Sequence, residues 1–154
     1  MTKVMIWFDM DGTIADLYAV NGWLDMLRAY DAAPYIMAKP MVNMSALARQ
    51  LNSLQRKGFA IGIISWCSKC STQEYDEAVT MAKRAWLAQH LPSVNWDAIE
   101  VVPYGTPKHE VCNMGNVGIL FDDEQRNRDN WNIGTAFEPC DISKVLSLLG
   151  KAAK

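Results

Sequence analysis

The 154-residue chain has no long hydrophobic run near its start, no excess of charge of either sign, and little cysteine or histidine. Its first apolar stretch, Val4-Met5-Ile6-Trp7-Phe8, stops at Asp9. That is too short for a signal-peptide core or a membrane span, so a cytoplasmic protein with no membrane partner is the expectation. The formal net charge is −2 and the pI about 5.6. Such a balance gives no general attraction to nucleic acid or to an anionic membrane, and any phosphate binding must be local. Four cysteines in a chain without an export signal read as reduced thiols. Cys67 and Cys70 have the spacing of half a zinc site or a redox pair, but Cys112, Cys140, His90 and His109 are scattered and supply no second pair. Internal repeats, low-complexity tracts and linkers are also absent from the sequence.

What is there is apolar and periodic. Half of the residues are hydrophobic and 21% are charged, which excludes disorder and suits one domain over residues 1–154 with a sizeable core. Short apolar runs at residues 4–8, 59–65, 99–102, 117–121 and 134–137 read as strands buried on both faces. Helical patterns lie between them, so the fold class is α/β, a three-layer Rossmann-like parallel sheet. Residues 43–57 carry Met44, Leu47, Ala48, Leu51 and Leu54 on one face behind the N-cap candidate Asn43. A capping box from Ser71 to Glu74 opens a second helix, with Tyr75, Ala78, Val79, Ala82 and Trp86 on a face expected only to cover the sheet. Lys108 begins a short helix through Met114, and a last helix over residues 142–149 ends at Gly150. Residues 17–42 break the alternation. They read as a minimal helical insertion with an irregular return, placed where a small cap or lid would sit.

Parallel α/β sheets put their ligand sites beyond the carboxyl ends of the strands. The polar residues that end the apolar runs are therefore the candidates. The first run ends in Asp9-Met10-Asp11-Gly12-Thr13, two carboxylates on one side of a strand end, followed by a glycine that permits a tight turn and a hydroxyl that can hydrogen-bond nearby. The second run ends in Ser65, the fourth in Asp122-Asp123, and Lys108 follows the third. Carboxylates for a hard cation, a hydroxyl and an ammonium suit phosphoryl transfer.

The order and spacing of these four elements resemble the haloacid dehalogenase superfamily of phosphohydrolases, over essentially the whole chain. The resemblance implies that Asp9 is the nucleophile and Asp11 the general acid and base. It implies that Thr13, Ser65, the Trp66 backbone N–H and Lys108 bind the phosphate, and that Mg²⁺ is held by Asp9, Asp122 and the Asp11 backbone carbonyl. Asp123 would orient metal-bound water or hold Lys108, and Asn127 could do likewise. The chemistry agrees with these roles. A carboxylate with a pKa of about 3.9 is ionised at neutral pH and needs no activating base, but its attack on an anionic ester requires cations to offset the repulsion.

The short insertion resembles small nucleotidases of the 5′(3′)-deoxyribonucleotidase type, which implies a small phosphorylated substrate such as a nucleotide. Trp23, Tyr30 and Tyr35 would then be either a stacking surface for a base or part of the core. An open site also suits a phosphate on a polynucleotide end or on a protein. Two other readings are a phosphotransferase sharing the same intermediate and a non-catalytic scaffold that keeps the fold. Each residue has a plainer alternative: a solvated acidic turn for Asp9 and Asp11, a strand-end hydroxyl for Ser65, a surface lysine for Lys108, a helix cap for Asp122-Asp123. Arg126 and Arg128 read as solvated. Oligomeric state has no signature in the sequence.

Overall fold

The computed structural model describes residues 3–113 and 118–153. In chain order its elements begin with β1 (Met5–Phe8), β2 (Ala15–Asp16), α1 (Trp23–Arg28), α2 (Ala33–Met37), β3 (Lys39–Pro40), α3 (Met44–Arg56) and β4 (Ala60–Trp66). They continue with α4 (Gln73–His90), β5 (Ala98–Val102), α5 (Lys108–Val111), β6 (Gly118–Phe121), α6 (Gln125–Asn130), β7 (Gly134–Phe137) and α7 (Ile142–Ala152). The sheet runs β5-β4-β1-β6-β7 and every pairing in it is parallel. This is the three-layer α/β architecture expected from the alternation of apolar runs and helical patterns. Val117 and Met114, expected to start a strand and to end a helix, lie outside the described residues.

The first strand is the centre of the sheet. Its four residues are all buried, and alternate ones face opposite layers. Ile6 and Phe8 join Ile61, Ile63 and Phe121 beneath Leu47, Leu51 and Leu54 of α3, Ile142 and Leu146 of α7, and Trp86 of α4. Met5 and Trp7 point the other way, onto Ile64, Leu120 and Trp131. Each fully buried Leu or Ile of these layers contributes about 1.5–3 kcal/mol. Phe8 is level with Ile63 on one side and with Phe121 on the other, so the residues that follow β1 and β6 emerge side by side. The Asp9 N–H bonds the Phe121 carbonyl at 2.9 Å and fixes that alignment.

Three local details differ from the sequence reading. The side chain that caps α4 belongs to Thr72, whose hydroxyl accepts from the Tyr75 N–H at 3.1 Å, one residue later than the Ser71 box. Two hydroxyls in succession made the register ambiguous. Helix α7 continues through Gly150 to Ala152, and the Lys57 ammonium donates to the Gly150 carbonyl at 2.6 Å, a tertiary contact invisible in the local pattern. Residues 17–42 form a 3₁₀ turn, Leu17–Ala19, and the two short helices α1 and α2, closed by the antiparallel pair β2 and β3. Pro34 at the start of α2 and Tyr30 at φ 58° keep the two helices from merging. Leu17 and Tyr35 of this excursion pack on Tyr75, Val79 and Ala82 of α4. Among the described residues no helix is long and apolar enough to cross a membrane.

Gly62 is where β4 passes over the buried Trp7. A Cβ built there would meet ring carbons of Trp7 at 2.6 Å, closer than side-chain carbons pack. Gly62→Ala is expected to lower stability by about 1–3 kcal/mol through overpacking, read as a shift of the urea midpoint at constant slope. A loss below about 0.5 kcal/mol would mean that the Trp7 ring yields and the contact sets nothing.

Candidate active site

The carboxyl ends of β1, β4 and β6 open into a pocket of about 960 Å³ whose lining includes Asp9, Asp11, Lys108, Asp122 and Asp123. Asp9 is buried at the end of β1 with both oxygens engaged. Its Oδ1 accepts from Lys108 Nζ at 2.9 Å and its Oδ2 from the Thr13 hydroxyl at 3.0 Å. The turn that returns Thr13 to Asp9 is held by the Met10 carbonyl, which accepts from the N–H groups of Thr13, Ile14 and Ala15 at 3.0 Å. Gly12 stands at φ 80°, and a Cβ there would strike the Asp123 carboxylate. The fourth residue of the motif thus depends on glycine both for backbone conformation and for space.

Lys108, the first residue of α5, is 3% exposed. Its ammonium bridges Asp9 and Asp122, the latter at 2.7 Å. Burial works against its charge, but the two carboxylates more than offset this and hold its pKa above the ordinary lysine value. The Asp122 carboxylate is fixed on every side. Oδ2 also accepts from Asn127 Nδ2 at 3.1 Å, Oδ1 accepts from the Glu124 N–H at 2.9 Å, and the Asp122 carbonyl accepts from Arg128 Nη1 at 3.0 Å. Lys108 is therefore held by Asp122, and Asn127 by the same carboxylate. Arg128 is not the solvated residue expected from its surroundings in sequence. Asp123 sits at the rim, its N–H donating to Thr13 Oγ1 at 3.2 Å.

Ser65 and Trp66 end β4. Ser65 is fully buried and does not line the pocket; its hydroxyl meets Lys83 Nζ at 2.6 Å. Trp66 does line it, with its indole N–H anchored to the Thr106 carbonyl at 2.8 Å and its ring 5.3 Å from the Lys108 ammonium and 5.2 Å from the Arg126 guanidinium. Lys83 was not singled out in the sequence. It is 1% exposed and pairs with Asp11 at 2.9 Å. The available signal was a lysine four residues after Val79 and three before Trp86, on the apolar stripe of α4, where an unpaired charge is rare. Of the aromatic residues of the excursion, Tyr35 is buried and shares a hydrogen bond with Ser68, Trp23 is half-buried and packs edge-on against Tyr18 at 5.0 Å, and Tyr30 is exposed. Burial pushes the Cys67 thiol up to about 11, so it stays protonated at neutral pH.

Asp9, Asp122 and Asp123 each offer an oxygen, and these lie within 4.8 Å of one another. Burial, and then the charge of Asp9, pushes Asp122 up to about 6. The same two causes push Asp123 up to about 8. Burial also raises Asp11, against the lowering effect of Lys83. This is a crowd of like charges short of cations, the donor set that a hard divalent ion fits. The fit rests on oxygen donors alone, with no histidine or thiol in the cluster.

No protein-family model and no curated protein sequence matches the chain. Among solved structures, the crystal structure of D,D-heptose 1,7-bisphosphate phosphatase from Burkholderia thailandensis is similar, with a TM-score of 0.50 and 12% identity. The match covers 96% of this chain and 74% of that one. Fold and site together define an α/β protein with a carboxylate centre at its strand ends. What the two share is the fold, a three-layer Rossmann-like α/β sheet.

An acid whose pKa is higher in the folded chain keeps protons that the unfolded chain releases, so stability falls as pH rises from about 4 through about 8. A divalent cation takes the ionised carboxylates and opposes that fall. The metal-free melting temperature is expected to decline over this range, and the increment from millimolar Mg²⁺ to be larger at about pH 8 than at about pH 5.5. Fluorimetric melts with and without chelator check this; an increment independent of pH would count against the cluster as the cation site.

Proposed function

We propose that the protein is a Mg²⁺-dependent phosphomonoester hydrolase that works through an aspartyl-phosphate on Asp9. The observation that carries this reading is the Lys108 bridge: one buried ammonium touching both a strand-end carboxylate in the pocket and the acid of the neighbouring strand end. The similar solved structure is itself a phosphatase, which agrees with the reading.

The charges explain why a cation is required. Four carboxylates, Asp9, Asp11, Asp122 and Asp123, stand near two ammonium groups, Lys83 and Lys108. Two like charges about 4 Å apart at an effective dielectric constant of about 20 repel by about 4 kcal/mol, roughly a thousandfold in affinity for each such pair. A dianionic phosphate would therefore be excluded without further positive charge. Asp9, Asp122 and the Asp11 carbonyl would hold Mg²⁺, with Asp123 beside them, and the ion when bound supplies the missing charge. Thr13 and Lys108 hold the Asp9 carboxylate in one orientation. One oxygen of Asp9 then attacks phosphorus while Asp11 gives a proton to the leaving oxygen. In the second step water attacks the aspartyl-phosphate and returns a proton to Asp11.

The substrate reading is a 5′-(deoxy)nucleotide. The pocket is of small-molecule size, and its lining includes Tyr18, Trp23 and Tyr30 of the excursion together with Trp66 and Tyr104, an aromatic setting that suits a base. Exposed Arg28 and Lys69 in the pocket lining, with exposed Arg126 over the ring of the lining residue Trp66, favour a second reading, a phosphate at a polynucleotide end. The presence of every carboxylate of the site favours turnover over a scaffold role, and an added acceptor alcohol separates hydrolysis from phosphotransfer.

A panel of mononucleotides, sugar phosphates and 3′- or 5′-phosphorylated oligonucleotides is expected to show Mg²⁺-dependent phosphate release, lost in chelator and reduced at least about 10³-fold in Asp9→Asn. Activity that survives either treatment would sink the mechanism. Trp23→Ala is expected to raise KM for nucleotides severalfold and leave KM for glycerol phosphate unchanged; equal effects on both would assign the ring to the core.

A further inference from the structure

Lys83 enters the site from α4, whose other inward residues are apolar or aromatic and pack on the excursion and the sheet. It is 1% exposed, and a buried ammonium survives only if its protons are taken up. Its Nζ bonds Asp11 Oδ2 at 2.9 Å, Ser65 Oγ at 2.6 Å and the Trp66 carbonyl at 2.7 Å, which uses all three. The ring of Tyr35, from the excursion, lies 4.9 Å from the ammonium. Two of these bonds fix Lys83 to the end of β4, and the third reaches Asp11. Among the described residues, Lys83 holds Oδ2 of Asp11 while Oδ1 has no hydrogen-bond partner, and Asp11 lines the pocket.

We propose that Lys83 is a positioning residue that pins one oxygen of Asp11 so that the other is presented to the pocket for proton exchange. The inference rests on the phosphatase reading above. A carboxylate held at one oxygen loses most of its rotational freedom, and misplacement of a reacting group by about 1 Å costs on the order of a hundredfold in rate. In the first half-reaction the bond from Asp9 to phosphorus forms, the ester P–O bond breaks, and the proton of Asp11 goes to the leaving oxygen. In the second a water oxygen bonds phosphorus, the Asp9–phosphorus bond breaks, and the water proton goes to Asp11. A p-nitrophenolate leaving group needs no proton, so only the second half-reaction of that ester depends on where Asp11 points.

Lys83→Met keeps the length and apolar bulk of the side chain. With p-nitrophenyl phosphate it is expected to lower kcat about a hundredfold and to raise the acid-stable phosphoenzyme fraction at steady state, whereas with an alkyl phosphate kcat falls without that accumulation. Lys83→Ala is expected to regain part of its rate from added propylamine. A phosphoenzyme fraction equal to wild type in Lys83→Met, or no response of Lys83→Ala to the amine, overturns the proposal. Crystal structures of Lys83→Met and wild type read the same point without turnover: the Asp11 carboxylate is expected to leave its position, and an unmoved carboxylate overturns the proposal. Failure of the phosphatase reading shows instead as a wild-type protein that releases no phosphate from any ester.

Discussion

The position of one ammonium group, Lys108 Nζ between Asp9 and Asp122, organises the molecule. Two acids from neighbouring strand ends cannot both be buried and ionised unless a cation lies between them, and that cation comes from neither strand. The loop after β5 must bring α5 to the sheet, β1 and β6 must be level, and Asn127 and the Glu124 N–H must complete the shell of Asp122. Deleting one member of such a buried pair leaves an uncompensated charge at a cost of about 3–5 kcal/mol. Stability and the proposed chemistry therefore draw on the same contact.

The architecture was legible because it follows from two periodicities. Strands buried on both faces read as short apolar runs, and α3 reads as a 3.6-residue stripe behind Asn43, whose side chain does accept from the Ala46 N–H at 2.9 Å. The strand-end cluster was legible as far as strand ends are marked by polar residues, which names Asp9, Asp11 and Asp122-Asp123; Ser65 also marks a strand end but is buried away from the pocket. What the sequence hid was set by tertiary contact. Lys83 looked like one charge among many on a sheet-covering helix, and only the fold shows that it faces Asp11. Arg128 looked solvated because its acceptor is a backbone carbonyl. The excursion of residues 17–42 has no single period because it consists of short pieces tied by β2 and β3.

Two lysines divide the acids between them. Lys108 serves the carboxylates of β1 and β6, and Lys83 serves Asp11 and the end of β4. Asp123 has no ammonium within ion-pair distance among the described residues, and it is also the acid pushed furthest above the ordinary carboxylate value of those with a stated figure, to about 8. The imbalance sits at the mouth of the pocket, where incoming charge is met first.

The central place of β1 has a consequence for the order of events during synthesis. The acid at its end lies 99 residues before the lysine that neutralises it, and its two sheet neighbours, β4 and β6, are made at very different times. While the ribosome is still producing the middle of the chain, Asp9 can rest only in water or beside the turn of Thr13. Closure of so distant a contact makes folding slow relative to helical proteins of this length. It also means that the proposed site comes together only after Asn127 has left the ribosome, when the sheet has received β6 on the open edge of β1.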